Sequence, residues 1–391
     1  MSLFAIFFVI LCPMPQDNNI RIGITQGDIN GIGLEVIVKA LSNRDILEIF
    51  TPVIFGSSRL LTSTADALGV EDFQIQTIAS ADEAISGIVN VVDTMGPDAS
   101  NTPGVASPHG GKAAADALEA ASRAIEEGAI DLLVTAPIDK NAIQGDAFRF
   151  PGHTEYLEDK FAVGGGKAMM IMAAGNLRVA LVTTHMALSE VPRHITKDSV
   201  KEAIKSFSRA LKMDFGCERP KIAVLSLNPH CSDGGVMGSE EADSIIPAIE
   251  ECKQEGILAF GPIAADGLFG SGAYMKFDGV LAMYHDQGLA PFKAIAGGAG
   301  VNFTAGLDII RTSPAHGTAY DKAGKDQADE TSMREAIYAA IDIARRRDSY
   351  LEFSENPLEI RTPAQRSSKR QKDKINEPDA DAVASAVSTE D

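Results

Sequence analysis

The stretch GKAAADALEAASRAIEEGAIDLLVTAP, residues 111–137, decides the fold class. Ala114, Leu118, Ala121 and Ile125 recur at helical spacing on one face, and Gly128 is placed to end that helix. The run IDLLVTAP that follows is almost continuously apolar, which is typical of a strand covered on both faces. A helix that leads directly into such a strand predicts an α/β fold.

Six further runs have the same character as IDLLVTAP. They are IRIGIT (20–25), TPVIFG (51–56), GIVNVV (87–92), RVALVTTH (178–185), KIAVLSLN (221–228) and GVLAMYH (279–285). A second clear helix is predicted over residues 239–256, with Ser239 and two glutamates in its first turn and Gly256 at its end. The alternation of strand-like apolar runs with helical patterns predicts a parallel or mixed sheet with flanking helices. No internal repeat or coiled-coil heptad is visible.

Length and composition limit the function classes. A chain of 391 residues usually forms one large or two medium domains. Its formal net charge of −19 argues against a nucleic-acid or an anionic-membrane partner, but leaves an anionic small substrate open. The four cysteines show no CxxC spacing, so we expect reduced thiols in a cytoplasmic protein.

Both ends of the chain are expected to lie outside the folded part. The apolar stretch SLFAIFFVILC within residues 1–19 is too short to span a bilayer and has no preceding positive charge. It is either a poor signal-peptide core or, as we favour, translation assigned from an upstream start codon. Residues 363–391 contain almost no large apolar side chain, so we predict a disordered tail.

Three of the seven histidines follow apolar strands. His185, His230 and His285 each lie at or just past the carboxyl end of such a run. Ligands of open α/β sheets bind at that edge, and three neutral imidazoles with an open position suit a catalytic Zn²⁺ or similar divalent ion. The alternative is that each imidazole is simply hydrogen-bonded at a strand end, and the pattern alone leaves the two interpretations about even.

Glycine-rich segments give weaker signals. TQGDINGIGLEV (25–36) follows the first strand, but its glycines fit neither GxGxxG nor the P-loop pattern. Gly27, Gly31 and Gly33 could equally form only a tight strand-to-helix turn. His153 and Thr154, in FPGHTEYLED, precede a helical pattern whose free N–H groups would favour an anion. The alternative there is an ordinary N-cap by Thr154.

Residues 285–324 are predicted to form a long polar loop beside the strand ends. It carries Lys293, Asn302 and Arg311 among glycines, and lysine and arginine are the usual counter-charges for a phosphate. Such residues can also occur on a surface without a function, but long polar loops at strand ends are more often functional.

Taken in order, these motifs resemble the 4-hydroxythreonine-4-phosphate dehydrogenase family of pyridoxal 5′-phosphate biosynthesis. The resemblance covers about residues 20–350. The motifs that carry it are GDINGIG, VTAPIDK, FPGHTEYL, TTHM, LNPHCSDGG with MGSEE, GPIAADGLF, YHDQGLAPFK and GLDIIRTSPAHGTAYDKAG. The departures are GDINGIGLE in place of the commoner GDPxGIGPE, and extensions at both ends.

The resemblance implies a fold like that of isocitrate and isopropylmalate dehydrogenases. Such a fold has two α/β domains with mostly parallel or mixed sheets, and its active site lies in the interdomain cleft at a dimer interface. Residues 20–145 with 300–355 would bind NAD, and residues 146–299 would carry metal, substrate and dimer contacts. The segment His316, Gly317, Thr318 and Ala319 would bind NAD or NADP without a GxGxxG loop.

The resemblance also implies roles for individual residues. His185, His230 and His285 would bind a divalent metal (Zn, Mg or Co), with ligands drawn from both subunits of a homodimer. His153, Thr154, Lys293, Asn302 and Arg311 would contact the phosphorylated substrate. Asp266 would lie near the reacting centre, and Asp266 and Lys293 are the catalytic candidates.

The predicted reaction is NAD-dependent and metal-dependent oxidation of 4-phosphooxy-L-threonine, followed by decarboxylation to 3-amino-2-oxopropyl phosphate. One alternative is a related dehydrogenase of another phosphorylated hydroxy acid, such as a four-carbon sugar-acid phosphate. Two others are a metal-dependent hydrolase, which three strand-end histidines would serve equally well, and a non-catalytic phosphate-binding protein.

Overall fold

The computed structural model describes residues 20–145, 148–162 and 167–355. The predictions for residues 1–19 and 363–391 therefore lie outside the described residues. The strands are β1 (Arg21–Thr25), β2 (Thr51–Gly56), β3 (Ile75–Ile78), β4 (Val89–Asp93), β5 (Leu132–Thr135), β6 (Met169–Ala174), β7 (Leu177–Leu181), β8 (Lys221–Leu225), β9 (Leu258–Ile263), β10 (Gly279–Ala282), β11 (Val301–Ala305) and β12 (Ile310–Pro314).

The α-helices connect and cover these strands. They are α1 (Gly33–Leu41), α2 (Ser58–Ala67), α3 (Pro108–Glu126), α4 (His153–Phe161), α5 (Val191–His194), α6 (Lys197–Met213), α7 (Ile246–Gln254), α8 (Ala265–Gly270), α9 (His285–Ala296) and α10 (Thr331–Glu355). Short 3₁₀ segments and one π-helical turn, Glu241–Ile245, lie between them.

All twelve strands form one mixed sheet, in the order β3-β4-β2-β1-β5-β12-β11-β6-β7-β10-β8-β9. Eight neighbouring pairs are parallel. The three antiparallel pairs, β12–β11, β11–β6 and β6–β7, lie together in the middle. Three reversals in succession mean that the parallel block ending in β5 and β12 runs opposite to the block that begins with β7.

Both faces of the sheet are covered, as the apolar runs predict. Every residue of β2 is buried, and its side chains alternate between two apolar clusters: Ile54 packs in one, Val53 and Phe55 in the other. In β10, Leu281 contacts the first of these clusters, while Val280 packs in a third. One continuous core therefore covers one face of the sheet, and two smaller cores cover the other.

The α/β prediction is confirmed, and each of the seven predicted apolar runs contains a strand. The prediction of a long polar loop over residues 285–324 is wrong. That segment contains α9 and the two strands β11 and β12, which pair with each other in the middle of the sheet. Three polar residues of these strands, Asn302, Arg311 and Ser313, line a pocket rather than open solvent, and this hides the strand signal in the sequence.

Both predicted helix ends are also confirmed. Gly128, with φ of +71°, follows α3 and donates its N–H to the carbonyl of Ile125. Gly256, with φ of +85°, follows α7 in the same way and donates to Lys253. A positive φ at these positions is what glycine tolerates and other residues avoid.

The described residues up to Asp348 belong to one compact unit, and residues from Ser349 onward to a second. Of the second, the structure describes only the end of α10, as far as Glu355. The division into residues 20–145 with 300–355 and residues 146–299 stays a prediction. Cys217, Cys231 and Cys252 are free thiols, as expected, while Cys12 is outside the described part. Within the described ranges, no helix combines the length and apolar character that a membrane span needs.

Candidate active site

The three strands that precede the candidate metal-binding histidines are neighbours. β7, β10 and β8 lie side by side and run parallel. His185 follows β7, His285 begins α9 directly after β10, and His230 follows β8. The sequence-based expectation of three strands with one polarity is therefore met.

Two of the three imidazoles lie close together. The ring centroids of His185 and His285 are 5.7 Å apart. Lys140 Nζ lies 3.4 Å from His185 Nε2, so the segment after β5 reaches the same place. Desolvation by burial, assisted by the charge of Lys140, lowers the pKa of His185 and favours the neutral imidazole that binds metals.

His230 lines one cavity, and His185 lines another. In the part of the chain that the structure describes, no group of three or more His, Cys, Asp or Glu side chains is spaced to hold a metal ion. Within one chain, the imidazoles of His185 and His285 therefore form a pair, while that of His230 follows the neighbouring strand β8 and lies apart from them.

A cavity of about 200 Å³, here called the Arg311 pocket, collects most of the predicted substrate residues. Its lining includes His153, Thr154, His185, Asn302, Arg311 and His316. These residues come from α4, from the loop after β7, and from β11 and β12 with the loop that follows. The structure therefore brings together residues that are more than 150 positions apart in the sequence.

Arg311 is the central charge of this pocket. It is only 2% exposed, and its guanidinium donates to the hydroxyls of Thr135 (2.6 and 3.1 Å) and Thr304 (3.1 Å). No carboxylate forms an ion pair with it among the residues described. Burial lowers the pKa of Arg311 to about 10, so it stays charged at neutral pH. Its hydrogen-bond partners are all neutral, and the Glu155 carboxylate, which also lines the pocket, acts on it only at longer range. Such a buried cation is suited to an anionic ligand.

The N-terminus of α4 also faces this pocket. Its N-cap is Gly152, which supplies no side-chain hydrogen bond, so the alternative of an N-cap by Thr154 is wrong. The first N–H groups of the helix are therefore open to an anion. Desolvation by burial, followed by the charges of Arg311 and Lys140, lowers the pKa of His153 well below its ordinary range. His153 is consequently a neutral hydrogen-bonding group at pH 7.

Two polar atoms of the pocket-lining residues are buried without a partner. They are Asn302 Oδ1 and His316 Nε2. Buried polar atoms are almost always hydrogen-bonded, so an unpartnered pair in one pocket indicates that a ligand completes it.

The second cavity, here called the His230 pocket, measures about 440 Å³. His230, Asp266, Tyr284 and Gln287 contribute to its lining. Gln287 is held by two hydrogen bonds, from Met283 N to its Oε1 and from its Nε2 to the Ser226 carbonyl. The cavity thus places a carboxylate and an imidazole together at the ends of β8, β9 and β10.

Some predicted site residues contact neither cavity within one chain. Lys293 lies exposed in the last turn of α9. Thr318 and Ala319 follow the pocket residues His316 and Gly317, and the Thr318 carbonyl accepts the N–H of Ile32. His285 also lines neither cavity. The roles predicted for these residues, like those of the other site residues, stay predictions.

The GDINGIG loop is a tight turn that supports the 316–320 segment. At Gly27, φ is +67°, and an added Cβ would come within 2.3 Å of the Pro137 carbonyl oxygen. Asp28, fully buried, accepts from the Tyr320 hydroxyl at 2.8 Å. The loop therefore fixes the segment predicted to bind NAD, in addition to turning the chain between β1 and α1.

Sequence reasoning missed Lys140 and the two hydroxyls that hold Arg311. Lys140 and Thr135 both belong to the VTAPIDK motif at the end of β5, which carries the family resemblance but no role predicted from the sequence. A lysine in the short loop after the buried strand β5 is the signal that identifies Lys140. Thr304 carried no such signal, because only the folded sheet places β11 beside β12.

Comparison with known proteins now identifies the family. The family model of the pyridoxal phosphate biosynthetic protein PdxA matches residues 48–340. The chain belongs to the PdxA family. This membership confirms the resemblance noted in the sequence, and with it the predicted enzyme class, an oxidoreductase of pyridoxal phosphate biosynthesis.

Individual PdxA relatives are similar over most of their length. A 4-hydroxythreonine-4-phosphate dehydrogenase from Bacteroides thetaiotaomicron is 52% identical over 344 residues, which cover 88% of this chain and 94% of the relative. The crystal structure of the Klebsiella pneumoniae 4-hydroxythreonine-4-phosphate dehydrogenase superposes with a TM-score of 0.71 at 31% identity, covering 83% of this chain and 98% of that one. A protein from Oceanobacillus iheyensis, provisionally named a D-threonate 4-phosphate dehydrogenase, is 39% identical over 328 residues, 83% of this chain and 97% of the relative.

Proposed function

We propose that this PdxA protein oxidises 4-phosphooxy-L-threonine at its 3-hydroxyl with NAD⁺ (or NADP⁺). The resulting 3-oxo acid would lose its carboxylate as CO₂, because the ketone β to it accepts the electron pair of the broken bond as an enolate. Protonation of that enolate at carbon 2 would leave 3-amino-2-oxopropyl phosphate. A cytoplasmic location and a homodimer that shares its active sites belong to the same proposal.

One observation carries it: the buried Arg311 guanidinium lacks a carboxylate partner and lies in one pocket with His153 and His185. Arg311, the open N-terminus of α4 and Thr154 would bind the substrate phosphate. Neutral His153 and Asn302 would donate and accept the remaining hydrogen bonds. A phosphate held here would direct the rest of the substrate toward the His185–His285 pair.

The donor set supports a divalent metal (Zn, Mg or Co). His185 and His285 are 5.7 Å apart, and the lowered pKa of His185 keeps that imidazole free to coordinate. His230 would be the third ligand, supplied in the homodimer where ligands come from both subunits. When bound, such an ion would supply Lewis-acid polarisation of the alcohol oxygen and lower its pKa.

Side chains of the protein would carry out proton transfer and would bind the substrate and the cofactor. Asp266 would accept the proton of the 3-hydroxyl, directly or through a water molecule, and Lys293 would hold an anionic end of the substrate. His316, Gly317, Thr318 and Ala319 would bind the nicotinamide cofactor, whose role is to accept the hydride. The unpartnered Nε2 of His316 offers one polar contact for that purpose.

A second candidate substrate is a four-carbon sugar-acid phosphate. The name of the Oceanobacillus relative supports it, because that protein is 39% identical to this chain. The two substrates share the phosphate and the oxidised hydroxyl, so both would use the Arg311 pocket and differ only at the amine position.

Steady-state assays of the purified protein test the proposal. NAD⁺, one added divalent metal and either 4-phosphooxy-L-threonine or D-threonate 4-phosphate are mixed, and the reduced-nicotinamide absorbance band is followed. Growth of that band with the first substrate supports the proposed reaction, and growth with only the second supports the alternative. Release of inorganic phosphate without reduced nicotinamide would instead indicate a hydrolase, and binding without turnover a phosphate-binding protein.

A further inference from the structure

The turn that carries His230 has an unusual backbone. We call residues 228–235 the His230 turn. His230, Cys231, Ser232 and Asp233 have φ of 52°, 54°, 68° and 46°, four successive non-glycine residues in the left-handed region. Side chains disfavour this conformation, which normally occurs at single residues. Such a run persists only where surrounding contacts determine it, and it is typical of functional sites.

Glu241 provides those contacts. Its Oε1 accepts the backbone N–H groups of Leu227 at 2.8 Å and Asn228 at 2.7 Å, on one side of His230. Its Oε2 accepts from Asn228 Nδ2 at 3.0 Å and from the Ser232 hydroxyl on the other side of His230. One carboxylate therefore connects the chain segments on the two sides of His230.

The carboxylate of Glu241 has no competing partner that explains its burial. Glu241 is 2% exposed, yet it enters none of the ion pairs found among the described residues. A buried carboxylate is unfavourable unless hydrogen bonds satisfy it. Its hydrogen bonds to other residues all come from the His230 turn or from the residue just before it. Cys231 adds only a weak contact, from Sγ to the Pro262 carbonyl at 3.5 Å.

We infer that Glu241 is a positioning residue: its carboxylate holds the left-handed turn that directs the His230 imidazole into the His230 pocket, and so sets the affinity for the divalent metal. The inference rests on the proposed role of His230 as a metal ligand. It predicts that removing Glu241 weakens metal binding although Glu241 itself contacts no metal.

Cobalt titration of the metal-stripped, full-length protein tests this inference. Bound Co²⁺ gives a visible ligand-field spectrum that reports ligand number and geometry, independently of turnover. We expect Glu241→Ala to weaken Co²⁺ binding about 10-fold or more and to change the spectrum, as loss of an outer-sphere support does. Glu241→Gln is expected to restore part of the affinity, because its amide oxygen still accepts both backbone N–H groups and its amide nitrogen can donate to the Ser232 hydroxyl. The amide nitrogen no longer accepts from Asn228 Nδ2, which keeps its second acceptor, Glu240 Oε2, at 2.7 Å.

Two further variants make the outcome decisive. Glu250→Ala removes an exposed glutamate of α7 and should bind Co²⁺ like the parent. His230→Ala should lose the Co²⁺ site. If His230→Ala binds normally, the proposed metal ligand is wrong. If His230→Ala fails but Glu241→Ala binds and absorbs like the parent, only the positioning role of Glu241 is overturned.

Hydrogen exchange provides a readout in the metal-free protein. Backbone amides of residues 226–237 should exchange at least about 10-fold faster in Glu241→Ala, while those of β1 and β5 keep the parent rate. Should Glu241→Ala not fold, Ser232→Ala removes the contact on one side of His230 alone. A weakening of Co²⁺ binding by about 3-fold with an unchanged melting temperature would then support the inference, and unchanged binding would refute it.

Discussion

At the scale of single residues, the candidate site holds groups that are unfavourable for folding. Arg311 is a buried guanidinium with hydroxyl partners only, and His153 is desolvated between two cations. Four left-handed residues around His230 each add about 1 kcal/mol of steric cost. These groups oppose folding and lie at the two candidate cavities, which is typical of functional sites, because a bound ligand offsets part of their unfavourable free energy.

Replacing Arg311 by methionine should separate binding from stability. The change removes a buried, unpaired charge, so we expect the free energy of unfolding to rise by about 1 kcal/mol. Substrate binding should weaken at least about 100-fold, because the main counter-charge of the phosphate is lost. NAD⁺ affinity should stay within about 3-fold of the parent.

Calorimetric titration of each ligand and thermal unfolding measure these effects. Arg193→Met, which changes an exposed arginine paired with Glu190, serves as the control and should alter neither ligand affinity. Equal losses of substrate and NAD⁺ affinity in Arg311→Met would contradict the assignment of Arg311 to the phosphate.

His153 should make the protein less stable in mild acid. Its pKa in the folded state is lowered from the ordinary value near 6.5, so the unfolded chain takes up the proton first as the pH falls. The contribution of His153 to the free energy of unfolding is therefore fully present above about pH 6.5. Below that pH the free energy of unfolding falls by up to about 1.4 kcal/mol per pH unit because of this one group.

Thermal unfolding of the parent and His153→Gln between pH 8 and pH 5 measures this dependence. The glutamine variant should show a shallower decline, and His109→Gln, which changes an exposed histidine, should keep the slope of the parent. Identical slopes for the parent and His153→Gln would refute the lowered pKa.

At the scale of elements, two loops that are distant in sequence hold each other in place through hydrogen bonds. The turn between β1 and α1 contacts the segment after β12 through the Tyr320–Asp28 hydrogen bond and the Ile32–Thr318 backbone bond. Burial raises the pKa of Asp28, although the hydrogen bonds from the Asn30 N–H and then from the Tyr320 hydroxyl oppose it. Because Asp28 also accepts the Asn30 N–H at 2.9 Å, it stabilises its own turn and the facing segment together.

Tyr320→Phe should release that support. Loss of the hydroxyl leaves a buried carboxyl oxygen of Asp28 without its donor, at a cost of about 1–2 kcal/mol in unfolding free energy. If residues 316–319 bind NAD⁺ as proposed, its KM should rise more than the substrate KM. Tyr338→Phe, on the exposed side of α10, is the control. A stable variant with both KM values unchanged would show that the segment needs no such support.

How far the sequence predicts these elements depends on what their side chains do. The seven strands rich in valine, isoleucine and leucine were predicted because both their faces meet apolar cores. The sequence does not indicate β11 and β12, because Asn302, Arg311 and Ser313 occupy strand positions that line a pocket. β9 was missed because Gly261 and Pro262 interrupt it. The sequence therefore predicts the strands that precede His185, His230 and His285, but not the two strands that carry Asn302 and Arg311.

The grouping of the site was predictable only in part. Adjacent parallel strands bring His185 and His285 together, and strand polarity read from the sequence was sufficient for that. The separate location of His230 follows from a left-handed turn held by Glu241, eleven residues further along the chain. No propensity rule predicts four such residues in succession, so this part of the site required the structure.

At the scale of the whole molecule, one buried ion pair connects the last helix to the core. Arg347 Nε, on α10, donates to Asp214 Oδ1 at 2.6 Å, and Asp214 is fully buried at the end of α6. Arg347 also donates to the carbonyls of Leu307 and Ile309 at 3.3 Å, in the loop between β11 and β12. The pair thus fixes α10 against the connection that closes the middle of the sheet.

Arg347→Met should destabilise the protein by about 3–5 kcal/mol, because it leaves the carboxylate of Asp214 buried and unpaired. Arg346→Met changes the neighbouring arginine, whose exposed pair with Asp342 at 3.6 Å should contribute less than about 1 kcal/mol. Denaturant unfolding of both variants makes the comparison. Similar losses in the two would show that Arg347 contributes no more than a surface charge.

The antiparallel centre of the sheet has a consequence for the nascent chain. β11 and β12 fill the gap between β5 and β6, yet they leave the ribosome long after both of those neighbours. Until residue 314 has been made, β5 and β6 each present an unpaired backbone edge, the surface through which partly made proteins pair with one another. Newly synthesised chains that stop before Val301 should therefore aggregate in a cell-free translation reaction. Chains that continue through Pro314 should aggregate far less than these truncated chains.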